Sequence, residues 1–237
     1  MKLADIILHD NSLVPVISRF GIFLGFGDDS IQKICDNKNI DSDFLLTILN
    51  TFHDPQYLDK EYLSSFPVDL LIDYLQKTHY YYLNIKIPEI SELIDKMESE
   101  SSIELEAFNL LRKFFEDYKT ELFKHIEREE KIVYPYVLEL NEANISGRIS
   151  NEIISKIKDY SITSYEEEHD NVEEKLTDLK NIIIKYLVPC ENQQSRYNLL
   201  KELTALESDL ADHSRIEDFI LVPKVELLEK NLLKRSV

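Results

Sequence analysis

The chain has 237 residues, 43% of them hydrophobic and 10% aromatic, which is enough apolar material for a buried core and excludes a disordered protein. Its formal net charge of −18 opposes binding to nucleic-acid phosphates and to anionic membrane surfaces. No apolar run approaches the roughly 18 residues of a membrane-spanning helix, and MKLADIILHD lacks the apolar core and cleavage site of a secretory signal, so we expect a cytoplasmic protein.

Residues 1–65 are predicted to form a small helical N-terminal domain. Short helices are expected near residues 12–19, 30–37 and 42–53. The second has a plausible cap at Asp29 or Ser30, and the third at Asp41 or Ser42. Three of the four glycines lie between the first two of these helices, in the stretch FGIFLGFGDDS, and predict a tight loop. Acidic residues outnumber basic ones in this domain, which argues against a helix-turn-helix DNA reader.

Residues 66–237 are predicted to form a bundle of four long helices, so the predicted fold class is all-α. Leu, Ile, Glu and Lys dominate long stretches that contain few Gly or Pro, and such stretches favour helices. The four amphipathic segments cover residues 67–97, 102–140, 149–187 and 195–230. The connections between them are short and polar, which predicts an antiparallel, up-and-down arrangement.

Each predicted bundle helix carries one apolar stripe at helical spacing, and each stripe includes a histidine. The stripes run through Leu71, Leu75, His79 and Tyr82; through Leu111, Phe114, Tyr118, Leu122, His125, Glu129 and Ile132; through Ile162, Tyr165, His169, Val172, Leu176 and Leu179; and through Leu203, Leu206, Leu210, His213, Glu217 and Ile220. A single inward histidine is usually a hydrogen-bonded core residue. Four of them, together with two carboxylates that have no Lys or Arg on their stripes, favour a bound metal, because a buried carboxylate needs a compensating positive charge.

One pattern, His-x3-Glu-x5-Pro, occurs twice, from His125 to Pro135 and from His213 to Pro223. Residues four positions apart differ by about 40° around a helix and by about 6 Å along it, so each His/Glu pair faces one site. We expect the imidazole to bind one ion while the carboxylate bridges to a second, about 3.5 to 4 Å away. The prolines are expected to end or kink each helix beyond the site.

The predicted donor set of four imidazoles and two carboxylates suits iron. Calcium and magnesium prefer shells of oxygen atoms, and no thiolate is present to favour a closed zinc site. Manganese and zinc remain alternatives. The set leaves a coordination position open for a small ligand such as O2, NO or peroxide.

The strings HIEREEKIVYP, SYEEEHD and DLADHSRIEDFILVP, with LIDYLQKTHYYYLNIKIPEI in the first helix, resemble the hemerythrin-like di-iron proteins and, within them, the RIC group, named for repair of iron centres. The likeness covers residues 67 to about 230. It implies two non-haem iron ions bridged by carboxylate and oxo groups. Five residues match the iron ligands of this group, namely His125, Glu129, His169, His213 and Glu217, and we expect His79 to be the sixth.

The sixth ligand has two candidates in this chain. Many members of the group have two adjacent histidines in the first helix, where this chain reads His79-Tyr80, so either residue could occupy the ligand position. The stripe through Leu71 and Leu75 favours His79.

The resemblance implies a role in nitrosative or oxidative stress, namely the repair of damaged iron-sulfur proteins or the handling of NO. The N-terminal domain also looks like the small domain that precedes the bundle in RIC proteins. That domain has an adjacent pair of cysteines where this chain has FLGFG; Cys35 lies nearby as a single thiol, and it and Cys190 are expected to be reduced.

Two other functions stay open at this point. One is a hemerythrin-like sensor of O2 or NO, in which the N-terminal domain passes the ligation state to a partner. The other is a helical interaction protein without a metal. No catalytic residue and no oligomeric state follow from the residues.

Overall fold

The computed structural model describes residues 1–54, 56–99, 105–159, 161–167, 174–187 and 193–235. Nearly all of the regular structure in these ranges is helical, and extended pairing within them is limited to one isolated bridge between Lys2 and Ser30. The predicted all-α fold class is confirmed. None of the helices in this part of the chain is both long and apolar enough to cross a membrane.

The N-terminal region contains the three predicted helices and two more. The helices are α1 (Leu3–His9), α2 (Val14–Arg19, after a 3-10 turn at Asn11–Leu13), α3 (Ile31–Lys38), α4 (Ser42–His53) and α5 (Lys60–Ser65). The predicted caps are present, since Ser30 Oγ accepts a hydrogen bond from Lys33 N and the Asp41 carboxylate accepts one from Phe44 N. Helices α1 and α5 were not predicted.

The glycine-rich loop begins where α2 ends. Gly21 has a φ of +70°, its N–H donates to Ser18 O, and the N–H of Ile22 donates to Ile17 O. This left-handed termination favours glycine, which has no Cβ to clash. The loop that follows leaves Phe23 and Leu24 exposed before α3 begins.

Four bundle segments follow, and three of them are long helices with one wide π turn each. The first bundle helix consists of the α-helix Val68–Tyr81, the π turn Tyr82–Lys86 and the α-helix Ile87–Ser99. The second consists of the α-helix Leu105–Arg128, the π turn Glu129–Val133 and the α-helix Tyr134–Ser146. The fourth consists of the α-helix Gln194–Ile216, the π turn Glu217–Leu221 and the α-helix Val222–Arg235. The third bundle segment is described as Asn151–Asp159, Ile162–Glu167, Glu174–Asn181 and the π turn Ile182–Tyr186.

The bundle is antiparallel, as predicted. The start of the first bundle helix packs on the end of the second, and the end of the first packs on the start of the fourth. In the third segment, residues 162–167 pack on the end of the fourth helix and residues 174–181 on its first part. The described parts of the four segments therefore run up and down in order.

The π turns explain how the helices pass the repeated prolines. In the first, second and fourth bundle helices the π turn ends two residues before Pro88, Pro135 and Pro223. Proline has no N–H and clashes with the carbonyl four residues earlier, and a wider turn relieves both problems. At Pro135 and Pro223 we expected the helix either to end or to kink, and the structure excludes an end because both helices continue.

The π turn also corrects part of the predicted stripe in the second bundle helix. Val133 is buried and Ile132 is exposed, because the extra residue of the wide turn shifts the helical register after Glu129. Earlier in this helix Phe115 is buried and Phe114 is exposed. In the first and fourth bundle helices all the predicted stripe residues are buried.

The buried apolar side chains of the described residues form two clusters. One combines N-terminal side chains such as Leu3, Ile17 and Phe44 with bundle side chains such as Leu71 and Val137. The other fills the opposite half of the bundle. The N-terminal region therefore shares a core with the bundle, and the division into domains 1–65 and 66–237 stays a prediction.

Candidate metal centre

Four of the six predicted ligands meet where the two apolar clusters adjoin. His79, Glu129, His213 and Glu217 are all buried, and each offers a ligand atom within 4.8 Å of the others. They come from three helices: His79 from the first, Glu129 from the second, and the other two from the fourth. Both glutamates stand at the first position of a π turn, so the repeat has the same local geometry in both helices.

The closest atoms of this cluster would repel each other without a proton or a cation between them. His79 Nε2 lies 3.2 Å from His213 Nε2 and 3.2 Å from Glu129 Oε2. In the fourth helix His213 Nε2 lies 3.3 Å from Glu217 Oε2. Lone pairs and carboxylate charges that point at one small volume form the kind of donor set that holds a metal ion.

His125 lies beside this cluster, on the outer side of Glu129. Its Nε2 is 3.3 Å from Glu129 Oε1, whereas Glu129 Oε2 faces His79. The two oxygens of one carboxylate thus face two different histidines, which is the arrangement expected of a carboxylate that bridges two ions. The side chain of His125 is 15% exposed and is the most accessible of the predicted ligands in the described ranges.

The structure separates the two candidates for the first-helix ligand. His79 is inside the cluster, whereas Tyr80 is 65% exposed at the surface of the same helix. The sixth predicted ligand, His169, lies outside the described residues.

Glu130 is a site residue that the sequence analysis missed. Its Oε1 lies 2.9 Å from His79 Nδ1, and its other oxygen accepts a hydrogen bond from Gln76 Nε2. Burial lowers the pKa of His79, but hydrogen bonds to Glu129 and Glu130 outweigh this effect and raise it to about 9. A carboxylate at Nδ1 orients the imidazole and leaves Nε2 for a metal. The available signal was the last glutamate of the EREE string, which directly follows Glu129.

Tyr134 was also missed. Its hydroxyl donates a 2.7 Å hydrogen bond to Glu217 Oε1, and its ring lies parallel to that of His79 at 5.5 Å. Burial and the charge of Glu217 raise the pKa of Tyr134 well above its ordinary value, so the group stays a neutral donor. The equivalent residue in the second copy of the repeat is Val222, so a hydroxyl is not a general requirement of this position.

The unsatisfied atoms of the centre also fit a metal. His213 Nδ1 and Glu217 Oε2 are buried and form no hydrogen bond with the described residues. Burial and the charge of Glu129 raise the pKa of Glu217, but His213 and His79 outweigh them and lower it, so the carboxylate is ionised. An ionised carboxylate buried beside a second one needs a positive charge, and the imidazole and carboxylate donors suit a transition metal.

Comparison with known proteins agrees with this geometry. The family model of the hemerythrin HHE cation binding domain matches residues 72–225. The chain is also similar to the iron-sulfur cluster repair protein ScdA of Staphylococcus haemolyticus (strain JCSC1435), with 21% identity over 224 residues, which cover 93% of this chain and 96% of that protein. The resemblance to RIC proteins is thereby confirmed at the level of the family. The chain belongs to the hemerythrin HHE family of cation-binding proteins.

Proposed function

We propose that the chain holds two iron ions and acts in the repair of iron-sulfur centres damaged by NO or oxidants. The observation that carries the di-iron part is Glu129, whose two oxygens face His79 and His125. The similarity to a protein named for iron-sulfur cluster repair supports the second part. We propose His79, His125, Glu129, His169, His213 and Glu217 as the iron ligands, with damaged iron-sulfur proteins as partners in the cytoplasm.

In this proposal the protein's own residues shape and shield the centre. Glu130 orients His79, and Tyr134 holds one oxygen of Glu217. The apolar clusters on either side exclude water from the four most buried ligands. Bound iron would supply redox chemistry and a position for NO or O2. Because His125 is the most accessible of the described ligands, we place the route for a small ligand, or for the exchange of iron, on its side of the centre.

The structure bears on how repair could proceed without the missing cysteine pair. Cys35 is the cysteine nearest to the glycine-rich loop, and it is fully buried. Burial and the nearby Asp36 and Asp41 raise the pKa of its thiol, which disfavours the reactive thiolate. Cys35 therefore does not replace a reactive pair, and we propose that repair depends on the metal centre.

This observation favours a second candidate function, the sensing of O2 or NO. The loop that stands in place of the cysteine pair exposes Phe23 and Leu24, so it presents an apolar surface and no thiol. A sensor would use the same metal centre and would act through contacts of the N-terminal helices.

Two experiments test these candidates, the first for both of them together and the second to distinguish one from the other. Metal analysis of anaerobically purified protein should give two equivalents of iron, and less than one equivalent would refute both. The di-iron protein would then be mixed with an iron-sulfur enzyme that NO has inactivated. Recovery of enzyme activity beyond that produced by the same amount of free ferrous iron supports repair. Recovery equal to that control, together with tight NO binding, supports sensing.

A further inference from the structure

A buried arginine joins the N-terminal helices to the metal-bearing part of the bundle. Arg19 is the last residue of α2, and its side chain is 1% exposed. The guanidinium forms an ion pair with Asp209 of the fourth bundle helix and donates a 3.1 Å hydrogen bond to the Tyr74 hydroxyl. It also lies 4.8 Å from the centre of the Tyr81 ring. Burial lowers the pKa of Arg19, but Asp209 outweighs burial and raises it, so the group is charged.

Asp209 continues this connection to His213. It is four residues before His213, one helical turn or about 6 Å along the axis. Its second oxygen accepts a 2.9 Å hydrogen bond from the hydroxyl of Tyr82. The ring of Tyr82 then meets the imidazole of His213 edge to face, with 5.8 Å between ring centres. The chain of contacts thus runs from Arg19 through Asp209 and Tyr82 to the imidazole.

His213 needs such support from its surroundings. Its Nδ1 forms no hydrogen bond with the described residues, whereas His79 is oriented at Nδ1 by Glu130. The orientation of the His213 ring therefore depends on packing, and Tyr82 is one of its aromatic neighbours. The hydroxyl bond to Asp209 restricts the position of the Tyr82 ring.

Stability alone does not require the Arg19–Asp209 pair. Removing two charges from water costs several kcal/mol per ion, and apolar residues of similar size often stabilise a core equally well or better. Because this buried pair lies at the boundary between the N-terminal helices and the fourth bundle helix, it fixes the position of these helices relative to each other. A second contact between the N-terminal region and the fourth bundle helix involves residues that flank His213 in the sequence. Arg215 forms an ion pair with Asp212 and donates a hydrogen bond to the backbone carbonyl of Tyr57.

We propose that Arg19 is a positioning residue for the metal centre, which holds His213 in place through Asp209 and Tyr82. The N-terminal helices therefore help to position a ligand of the metal site, and this role does not depend on a cysteine pair. The inference rests on the proposed role of His213 as a metal ligand.

The test uses two double variants of the full chain. Arg19→Met with Asp209→Asn removes both charges while an amide oxygen remains to accept from Tyr82. The matched control is Lys86→Met with Glu202→Gln, which removes a second ion pair that is mostly buried and also ends on the fourth bundle helix. Glu202 is 11 residues before His213, about 16 Å along the axis. Tyr82→Phe removes only the connecting hydroxyl.

Affinity for ferrous iron would be measured anaerobically by competition with a chelator. The imidazole N–H signals of the iron-loaded protein would be recorded by proton NMR. We expect the Arg19/Asp209 variant and Tyr82→Phe to lose about 10- to 100-fold in affinity, the range for residues that orient a ligand. We also expect both to shift the His213 signal. The Lys86/Glu202 variant should keep the affinity and spectrum of the unchanged chain.

The outcomes separate this inference from the proposed function. If the unchanged chain binds no iron, the proposed function fails. If it binds iron and the Arg19/Asp209 variant binds it equally well with the same spectrum, the inference is wrong. An equal loss in the Lys86/Glu202 control would also refute it, because the effect would then be one of general stability. Should the Arg19/Asp209 variant not fold, Tyr82→Phe decides by the same criteria.

Discussion

The hydroxyl of Tyr134 donates a 2.7 Å hydrogen bond to Oε1 of Glu217 and so joins the second and fourth bundle helices inside the metal centre. The bond matters most when no metal is present, because Glu217 is then a buried carboxylate with few donors. In Tyr134→Phe the carboxylate loses this donor, and an unsatisfied buried acceptor costs about 1–3 kcal/mol. We expect the free energy of unfolding of the metal-free protein, measured with denaturant and a chelator, to fall by about that amount. The control is Tyr80→Phe, at an exposed site, and an equal change in both variants would contradict the prediction.

The ligand assignment predicts a loss of metal from single substitutions in both copies of the repeat. Glu217→Ala and His125→Ala should each lose most of the bound iron, because each removes a proposed ligand. Glu127→Ala is a suitable control, since Glu127 is two residues from His125 and its carboxylate pairs with Lys131 at the surface. Metal content after anaerobic purification is the measurement. Full retention of iron in both ligand variants would refute the assignment.

The first bundle helix offers a test of which side chain faces the metal. His79→Ala should abolish binding of at least one iron ion, whereas Tyr80→Ala should leave the metal content unchanged, because Tyr80 points away from the cluster. Both variants would be loaded with ferrous iron under identical anaerobic conditions and compared by absorption spectroscopy. The reverse result, with loss of iron from Tyr80→Ala alone, would mean that the helix has a different register in solution.

The burial of Cys35 predicts a thiol that reacts slowly in the folded protein. In a Cys190→Ser variant, Cys35 is the only cysteine, so a chromogenic thiol reagent reports on it alone. We expect the reaction to be at least about tenfold slower in the native protein than in denaturant, because the side chain is fully buried and the pKa of the thiol is raised. Equal rates would show that the thiol is accessible and would reopen a thiol-dependent step in repair.

Local periodicity accounts for most of the correctly predicted fold. The stripes of the first and fourth bundle helices need only the helical repeat, and every residue predicted on them is buried. The second helix departs from prediction at Phe114 and at Ile132. The departure at Ile132 follows from the π turn at Glu129, which inserts a residue that a regular repeat cannot represent. Pro135 follows that turn by two residues, but a proline by itself does not determine whether a helix ends, bends or widens.

The all-α class, the two His/Glu pairs and the family resemblance could be predicted from the residues, because i and i+4 spacing on a helix is a local property. The side chains that complete the centre could be identified only once the helices were packed together. Glu130 meets His79 across 51 positions of sequence, Tyr134 meets Glu217 across 83, and Arg19 meets Asp209 across 190. Such contacts depend on how helices pack and on which charges are buried together, and helical periodicity within one segment carries no information about either.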